Sequence, residues 1–362
     1  APAENDPEHF HGISASVPDE ISTPPQPRDW KPSGPGFSQA FGSELCRLAE
    51  NDPRLFAITA AMPDGTGLQE FHARFPERFA DVGICEEHAV TFAAGLASRG
   101  FHPVVAIYST FMQRAYDQII HDVCLQNLPV TLCLDRAGLV GEDGPTHHGA
   151  FDLSWLRTVP NLALGAPRDE TALRSALALA VSMNRPVALR YPRGSGRRLD
   201  ASHSKFASAL EPRQDRYPLP GHGELLLRGN VKVCVMAAGQ RVVPCAEAAL
   251  LVAEKTGLLA SVFDTCWVKP LPEEQILALA AENDALLLVE ENSLLGGFSS
   301  AVLELLADHD RLRHLRIRRL GLPDRFIAHG PVRRLRADVG LNVAGIASAL
   351  KELLPVSDAS ER

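Results

Sequence analysis

The sequence has 362 residues, 45% of them apolar, and a formal net charge of −8. That length accommodates two domains or three, and the acidic balance argues against a nucleic-acid partner. No run approaches the ~20 apolar residues of a membrane span, and the N-terminus carries no apolar core of a secretory signal. Seven cysteines (Cys46, Cys85, Cys124, Cys133, Cys234, Cys245, Cys266) fall without a CxxC pair, mostly inside apolar runs. They read as small core residues in a reducing, cytoplasmic setting, and their spacing fits neither a disulfide framework nor zinc. The chain opens on Ala1 and reads as part of something longer.

Residues 1–35 are rich in Pro, Ser, Asp and Glu and form no period, as in an extended arm. His11 lies in it, and a lone histidine there reads first as a solvated one. From Phe37 the pattern turns regular. A helix is expected over 37–50 and a strand over 55–59, followed by the Gly-rich loop 62–67. Val82 to Cys85 reads as the end of a buried strand, and from Ala89 the apolar residues fall at helical spacing. Glu86 and Glu87 therefore sit at a strand-to-helix junction, where the helix dipole and free N–H groups favour acids of any role. Residues 103–108 and 129–135 are continuous apolar strands, as in a parallel sheet covered on both faces. A helix is expected over 111–126 and a long polar loop over 136–149. A strand, a helix and another strand follow at 163–167, 170–183 and 186–192.

Residues 197–230 break the pattern and read as a linker. A second unit follows, with strands at 231–236, 258–263 and 285–289 and helices at 244–255, 272–282, 300–308 and 343–354. The fold class is thus α/β: two successive α/β domains with mainly parallel sheets, over 36–197 and 231–362, joined by a linker at 198–230. Ligands in such sheets bind beyond the carboxyl ends of the strands.

Four polar clusters follow strand ends. They are Glu86, the run Tyr108 to Gln118, the run Asp135 to Gly149, and Arg190 with Arg193. The third combines glycines with Arg136, Asp143, His147 and His148, and a loop this long and polar tends to be functional. Paired arginines suit a phosphate or carboxylate. Each cluster alone could be a solvated loop; four after successive strands point to one site.

Together these stretches resemble the 1-deoxy-D-xylulose-5-phosphate synthase family of transketolase-like thiamine-diphosphate enzymes. The likeness is carried by Asp81 to Leu96, Tyr108 to Asp122, Asp135 to Leu156 and Arg190 to Gly194. The second unit adds Val268-Lys269-Pro270-Leu271, Val289-Glu290-Glu291-Asn292 and Gly321-Leu322-Pro323-Asp324, and 1–35 resembles the segment leaving the family's first domain. The resemblance implies a pyrimidine-binding domain followed by a transketolase-like C-terminal domain. It implies decarboxylative condensation of pyruvate with glyceraldehyde 3-phosphate, on the route to isoprenoid precursors, thiamine and pyridoxal. Glu86 matches the glutamate that hydrogen-bonds N1′ of the aminopyrimidine, whose N4′ can then take the C2 proton. Phe111 matches the aromatic stacked on the pyrimidine, and Ile84 a further cofactor contact. Arg136 and Arg193 would hold the substrate phosphate. Tyr108, Arg114 and Asp143 would line the substrate pocket, and His147 and His11 would stand near the reacting carbon.

Three features depart from the family. Cys85 and Glu87 stand where Ala and Gln are expected, and Glu87 is expected to point away from Glu86. The Gly-Asp-Gly motif and the asparagine that bind the diphosphate and its magnesium are not found. The resemblance therefore implies that no metal is held by this chain, that a separate N-terminal domain binds the diphosphate and Mg2+, and that the enzyme is a homodimer. Another thiamine-diphosphate carboligase or transketolase-like activity, and a non-catalytic partner module with this fold, remain open alternatives.

Overall fold

The computed structural model describes residues 35–214 and 216–355. His11 lies outside them. Two mostly parallel sheets organise the molecule, as the α/β reading expects. The first is built on β1 (Leu55–Thr59), β2 (Phe79–Asp81), β3 (His102–Tyr108), β4 (Thr131–Asp135), β5 (Ala163–Gly165) and β6 (Val187–Arg190). Its inner strands β3, β4 and β6 are parallel neighbours and buried almost throughout, which is why they read as unbroken apolar runs. The second sheet holds β7 (Glu224–Leu227), β8 (Val233–Ala237), β9 (Ser261–Asp264), β11 (Ala285–Ser293) and β12 (Arg316–Leu322) in the order β12-β11-β8-β9-β7.

Helices end where local chemistry stops them. Asp169 caps helix Glu170–Ser182 by accepting a hydrogen bond from the Ala172 amide. Gly257, at φ 76°, closes helix Val242–Thr256 in the left-handed conformation that costs a glycine least.

Three expectations need correction, and one strand pairing is not foreseen. Val82–Cys85 is no buried strand: the strand is Phe79–Asp81, at the open edge of the sheet, and Ile84 is 77% exposed. Gly83 at φ 70° turns the chain off the edge there, with the Asp81 carboxylate accepting from the Gly83 and Ala61 amides. The single helix expected over 111–126 is a series of short helical turns that ends in a π-helical turn, Ile119–Cys124. The segment read as linker contains β7, which pairs antiparallel with β9. Trp267–Lys269 (β10), from the second unit, adds an antiparallel edge strand to the first sheet through β5. One apolar core therefore runs from Ile58, Val105 and Leu132 in the first unit to Met236, Leu286 and Phe298 in the second.

Candidate active site

The carboxyl ends of β3, β4 and β6 and the start of helix Glu86–Ser98 gather most of the residues expected from the sequence. Glu86 is the first residue of that helix and only 2% exposed. A carboxylate so buried needs a donor. Arg114 provides one, its Nη1 donating to Glu86 Oε1 at 2.7 Å. Glu87 is exposed, because neighbours at a helix start diverge by about 100°. Arg114 in turn lies over the Phe111 ring, 5.0 Å from its centroid. The substrate-pocket assignment of Arg114 thus meets a side chain already bonded to Glu86.

Phe111 stands in the short helix Ser109–Met112 that continues β3. Its ring stacks beside Tyr108 at 6.1 Å and meets the His147 ring edge-on at 5.3 Å. His147 is oriented by Thr146, whose hydroxyl lies 2.9 Å from Nδ1. The Tyr108 hydroxyl accepts from Arg136 Nη2 at 3.2 Å, and the guanidinium also sits over the tyrosine ring. Burial raises the Tyr108 pKa. Loop 62–67 passes so close that a Cβ on Gly65 would stand 1.9 Å from the Tyr108 hydroxyl oxygen.

Arg136 follows β4 with φ at 63°, an uncommon conformation for a side chain of its size. It is held there by Asp135 and Ser38, each 3.0 Å from Nη1. Asp135 is fully buried, and burial pushes its carboxyl above the usual range against the pull of Arg136. Arg193 and Asp143 face each other at the open side, 3.1 Å apart and each about half exposed. Arg193, Asp143 and His147 are thus brought to the same mouth as Tyr108 and Arg136. Ile84 is near in sequence to Glu86, but its side chain is open to solvent.

Arg190 does not join Arg193. It is 3% exposed and forms an ion pair with buried Asp152 at 3.0 Å, while also donating to the Gly149 and Glu291 carbonyls. Being the last residue of a strand buried on both faces, it points into the protein and not out of the strand end.

The sequence reading takes Glu290 and Glu291 only as part of a matching stretch and gives them no role in the site. Glu290 and Glu291, both 0% exposed, continue the apolar strand β11. Glu290 accepts from the amides of Phe298 and Ser299 at the start of helix Phe298–Asp308. Glu291 lies against Arg336 and Arg241 and accepts from the Leu139 amide of the site loop. Two carboxylates extending a buried strand were the available signal, since each demands a partner.

A half-buried aromatic beside a buried, arginine-paired carboxylate fits the aminopyrimidine end of thiamine diphosphate: a flat ring to cover and a carboxylate to meet a ring nitrogen. The described residues do not provide the diphosphate end at this place. The one grouping of metal-capable side chains among them is Glu224, Asp264 and Cys266, and Arg168 pairs with its two carboxylates.

The transketolase pyrimidine-binding domain model matches residues 33–198, and the transketolase C-terminal domain model matches residues 221–346. A protein of Nitratidesulfovibrio vulgaris named 1-deoxy-D-xylulose-5-phosphate synthase is 56% identical over 353 residues, covering 97% of this chain and 53% of that protein. Proteins of that name from Oleidesulfovibrio alaskensis and, as synthase 1, Geobacter sulfurreducens are 54% and 51% identical, each over 99% of this chain and 54% of their own length. The chain thus spans about half the length of the curated relatives it matches. Among solved structures, a split-gene transketolase described as an inactive beta4 tetramer superposes with a TM-score of 0.77 at 27% identity, covering 89% of this chain and 99% of its own. A Campylobacter jejuni transketolase at 20% identity and TM-score 0.71 shares the fold, over 90% of this chain and 48% of its own. No helix of the described residues is long and apolar enough to cross a membrane.

Proposed function

The chain belongs to the transketolase family by its pyrimidine-binding and C-terminal domains, and from that premise we propose that it is the thiamine-activating half of a 1-deoxy-D-xylulose-5-phosphate synthase. The observation that carries the proposal is buried Glu86, paired to Arg114, which lies over the Phe111 ring that in turn meets Tyr108 and His147. When bound, thiamine diphosphate supplies a carbon nucleophile and an electron sink for the decarboxylation of pyruvate. This chain's residues do the rest. Glu86 would hold the pyrimidine nitrogen and share a proton with it, and Phe111 would cover the ring. Arg136, fixed by Asp135 and Ser38, takes the phosphate of glyceraldehyde 3-phosphate together with Arg193, whose partner Asp143 exchanges its ion pair for substrate contacts. His147, tethered by Thr146 against Phe111, is placed to donate a proton to the aldehyde oxygen as the new carbon–carbon bond forms. Tyr108 keeps Arg136 aimed at the pocket.

The diphosphate and Mg2+ are assigned to a separate diphosphate-binding module, with a homodimeric, cytoplasmic enzyme as the working form. His11, in the N-terminal arm, and Ile84 complete the expected set as neighbours of the reacting carbon and of the cofactor. The product would serve isoprenoid precursor, thiamine and pyridoxal synthesis.

The test combines the chain with a diphosphate-binding module, thiamine diphosphate and Mg2+, and assays pyruvate with glyceraldehyde 3-phosphate. Formation of 1-deoxy-D-xylulose 5-phosphate with release of carbon dioxide is expected. Turnover of a ketose phosphate donor without use of pyruvate would replace this reading with a transketolase one.

A further inference from the structure

The loop that carries Asp143 and His147 is held from the second unit. Leu139 N–H donates to Glu291 Oε1 at 3.0 Å. The Ser293 amide donates to the Ala150 carbonyl at 2.7 Å, and the Leu153 amide to Asn292 Oδ1 at 3.2 Å. His148, 4% exposed, accepts from the Val140 amide through Nδ1, which leaves its Nε2 proton facing the Ala328 carbonyl. Gly138 at φ 79° passes so near that a Cβ there would stand 2.7 Å from Glu291 Oε1. At the centre of this cradle one carboxylate is matched by two arginines. Arg336 donates through Nε and Nη2 to the two Glu291 oxygens at 2.9 and 3.0 Å, and Arg241 Nε lies 2.9 Å from Oε2. Arg336 is itself fixed by Gln240, and Arg241 by the Leu341 carbonyl.

We propose that Glu291, backed by Arg336 and Arg241, is a positioning residue through which the C-terminal domain fixes the acceptor-binding loop 138–149. It is fully buried behind the loop. Its one hydrogen bond to the loop backbone falls at Leu139, and the chain continues from there to Asp143 and His147. Domain adhesion alone does not call for this arrangement. The continuous apolar core and strand β10 already join the two units. A buried carboxylate aimed at a single loop amide adds register, because a hydrogen bond to a charged acceptor is short, directional and costly to misplace. The donor and cofactor side at Glu86, Arg114 and Phe111 is built on another helix and on the end of β3. The clamp therefore acts first on the aldehyde acceptor and reaches the cofactor side only through the edge contact of His147 with Phe111 and the Thr110 bond to Thr146. This division of labour rests on the synthase reading; the mechanical coupling of Glu291 to the loop does not.

The test uses the paired variant Glu291→Met with Arg336→Met, which removes the acceptor of the Leu139 amide and one charge of each sign, and so keeps the net charge of the buried cluster. In the chain itself, hydrogen exchange of the 136–149 backbone should quicken about tenfold, the loss expected for one charge-assisted bond, with β1, β3 and β4 unchanged. In the chain combined with a diphosphate-binding module, the KM for glyceraldehyde 3-phosphate should rise about tenfold, while the pyruvate KM and thiamine diphosphate affinity stay put. Arg336→Lys with Glu291 in place should leave most of both at the wild-type value. If the paired variant does not fold, Arg336→Met, at a position one-fifth exposed, should show the same pattern at about threefold. Unchanged loop exchange, or exchange rising equally across the first sheet, would overturn the clamp. A parallel rise in both KM values would restrict it to a general structural role and equally overturn it. If the wild type makes no product, the synthase reading fails, and loop exchange still decides the clamp.

Discussion

A carboxylate as buried as Glu86 persists because Arg114 meets it, and the same reasoning separates the other residues of the site. Arg136 and Arg190 both follow strands, yet only Arg136 faces the mouth. Both have a buried carboxylate partner, Asp152 for Arg190 and Asp135 for Arg136; the difference is that Arg190 also donates to the Gly149 and Glu291 carbonyls and is enclosed, whereas Arg136 keeps one amino group against the Tyr108 hydroxyl and ring and stays partly exposed. Tyr108→Phe keeps that ring and removes only the oxygen that accepts from Arg136. It should raise the acceptor KM several-fold, to about tenfold, while lowering stability by no more than about 1 kcal/mol; steady-state kinetics beside urea denaturation separates the two effects. A second residue reports on burial itself. His102 is 4% exposed, its Nε2 lies 2.9 Å from the Thr131 hydroxyl, and burial with Arg54 lowers its pKa from 6.5 to about 4. Between those values the unfolded chain binds a proton that the folded chain refuses. The contribution of His102 to stability is therefore complete above about pH 6.5 and falls away as pH drops through about 4, by roughly 3 kcal/mol across the window. His102→Gln should flatten the stability profile between pH 6.5 and 4, and urea midpoints measured across that range would show an unaltered slope if the assignment were mistaken.

At the scale of elements, apolar strands buried on both faces were legible, and so were helices with steady spacing such as Glu170–Ser182. The elements that escaped are those whose identity depends on distant partners. Strand β2 has three residues, partly exposed, and exists because β1 offers it an edge. Strand β10 lies among residues of the second unit, and its pairing with β5 has no local signature. The π-helical turn Ile119–Cys124 interrupts a pattern that reads as one helix. The runs after β3 and β4 and the position of Arg193 after β6 could be located from the sequence, whereas Glu86 follows no buried strand and Arg190 turns inward. The internal wiring of the site could not be located, because hydrogen bonds such as Ser38 to Asp135 and Leu139 to Glu291 span 97 and 152 residues. Glycine contacts are equally remote. A Cβ on Gly42, inside helix Phe37–Ala49, would meet the Gly67 carbonyl at 1.9 Å, and loop 62–67 is the one that passes beneath Tyr108. Gly42→Ala should cost about 1–3 kcal/mol by overpacking and displace Tyr108. A variant with wild-type urea midpoint and wild-type acceptor KM would show that the helix yields freely.

At the scale of the molecule, the two units share one core and one sheet edge, so they should fold together. Trp267 carries much of that coupling. It is fully buried in β10, donates from Nε1 to the Pro218 carbonyl and packs edge-on against Tyr217. Trp267→Ala should cost about 3–5 kcal/mol, and hydrogen exchange should quicken in β5 and β6 as well as in the second sheet. Loosening confined to the second sheet would mean that the units are energetically separate. The larger claim is the role in thiamine activation proposed for Glu86, and it is tested most directly by exchange of the cofactor's C2 proton for deuterium. With the chain combined with a diphosphate-binding module, the wild type should exchange that proton far faster than free thiamine diphosphate. Glu86→Gln should slow exchange by about a hundredfold or more with the cofactor still bound. Exchange at the wild-type rate in Glu86→Gln would contradict the role given to that carboxylate and, with it, the site built around it.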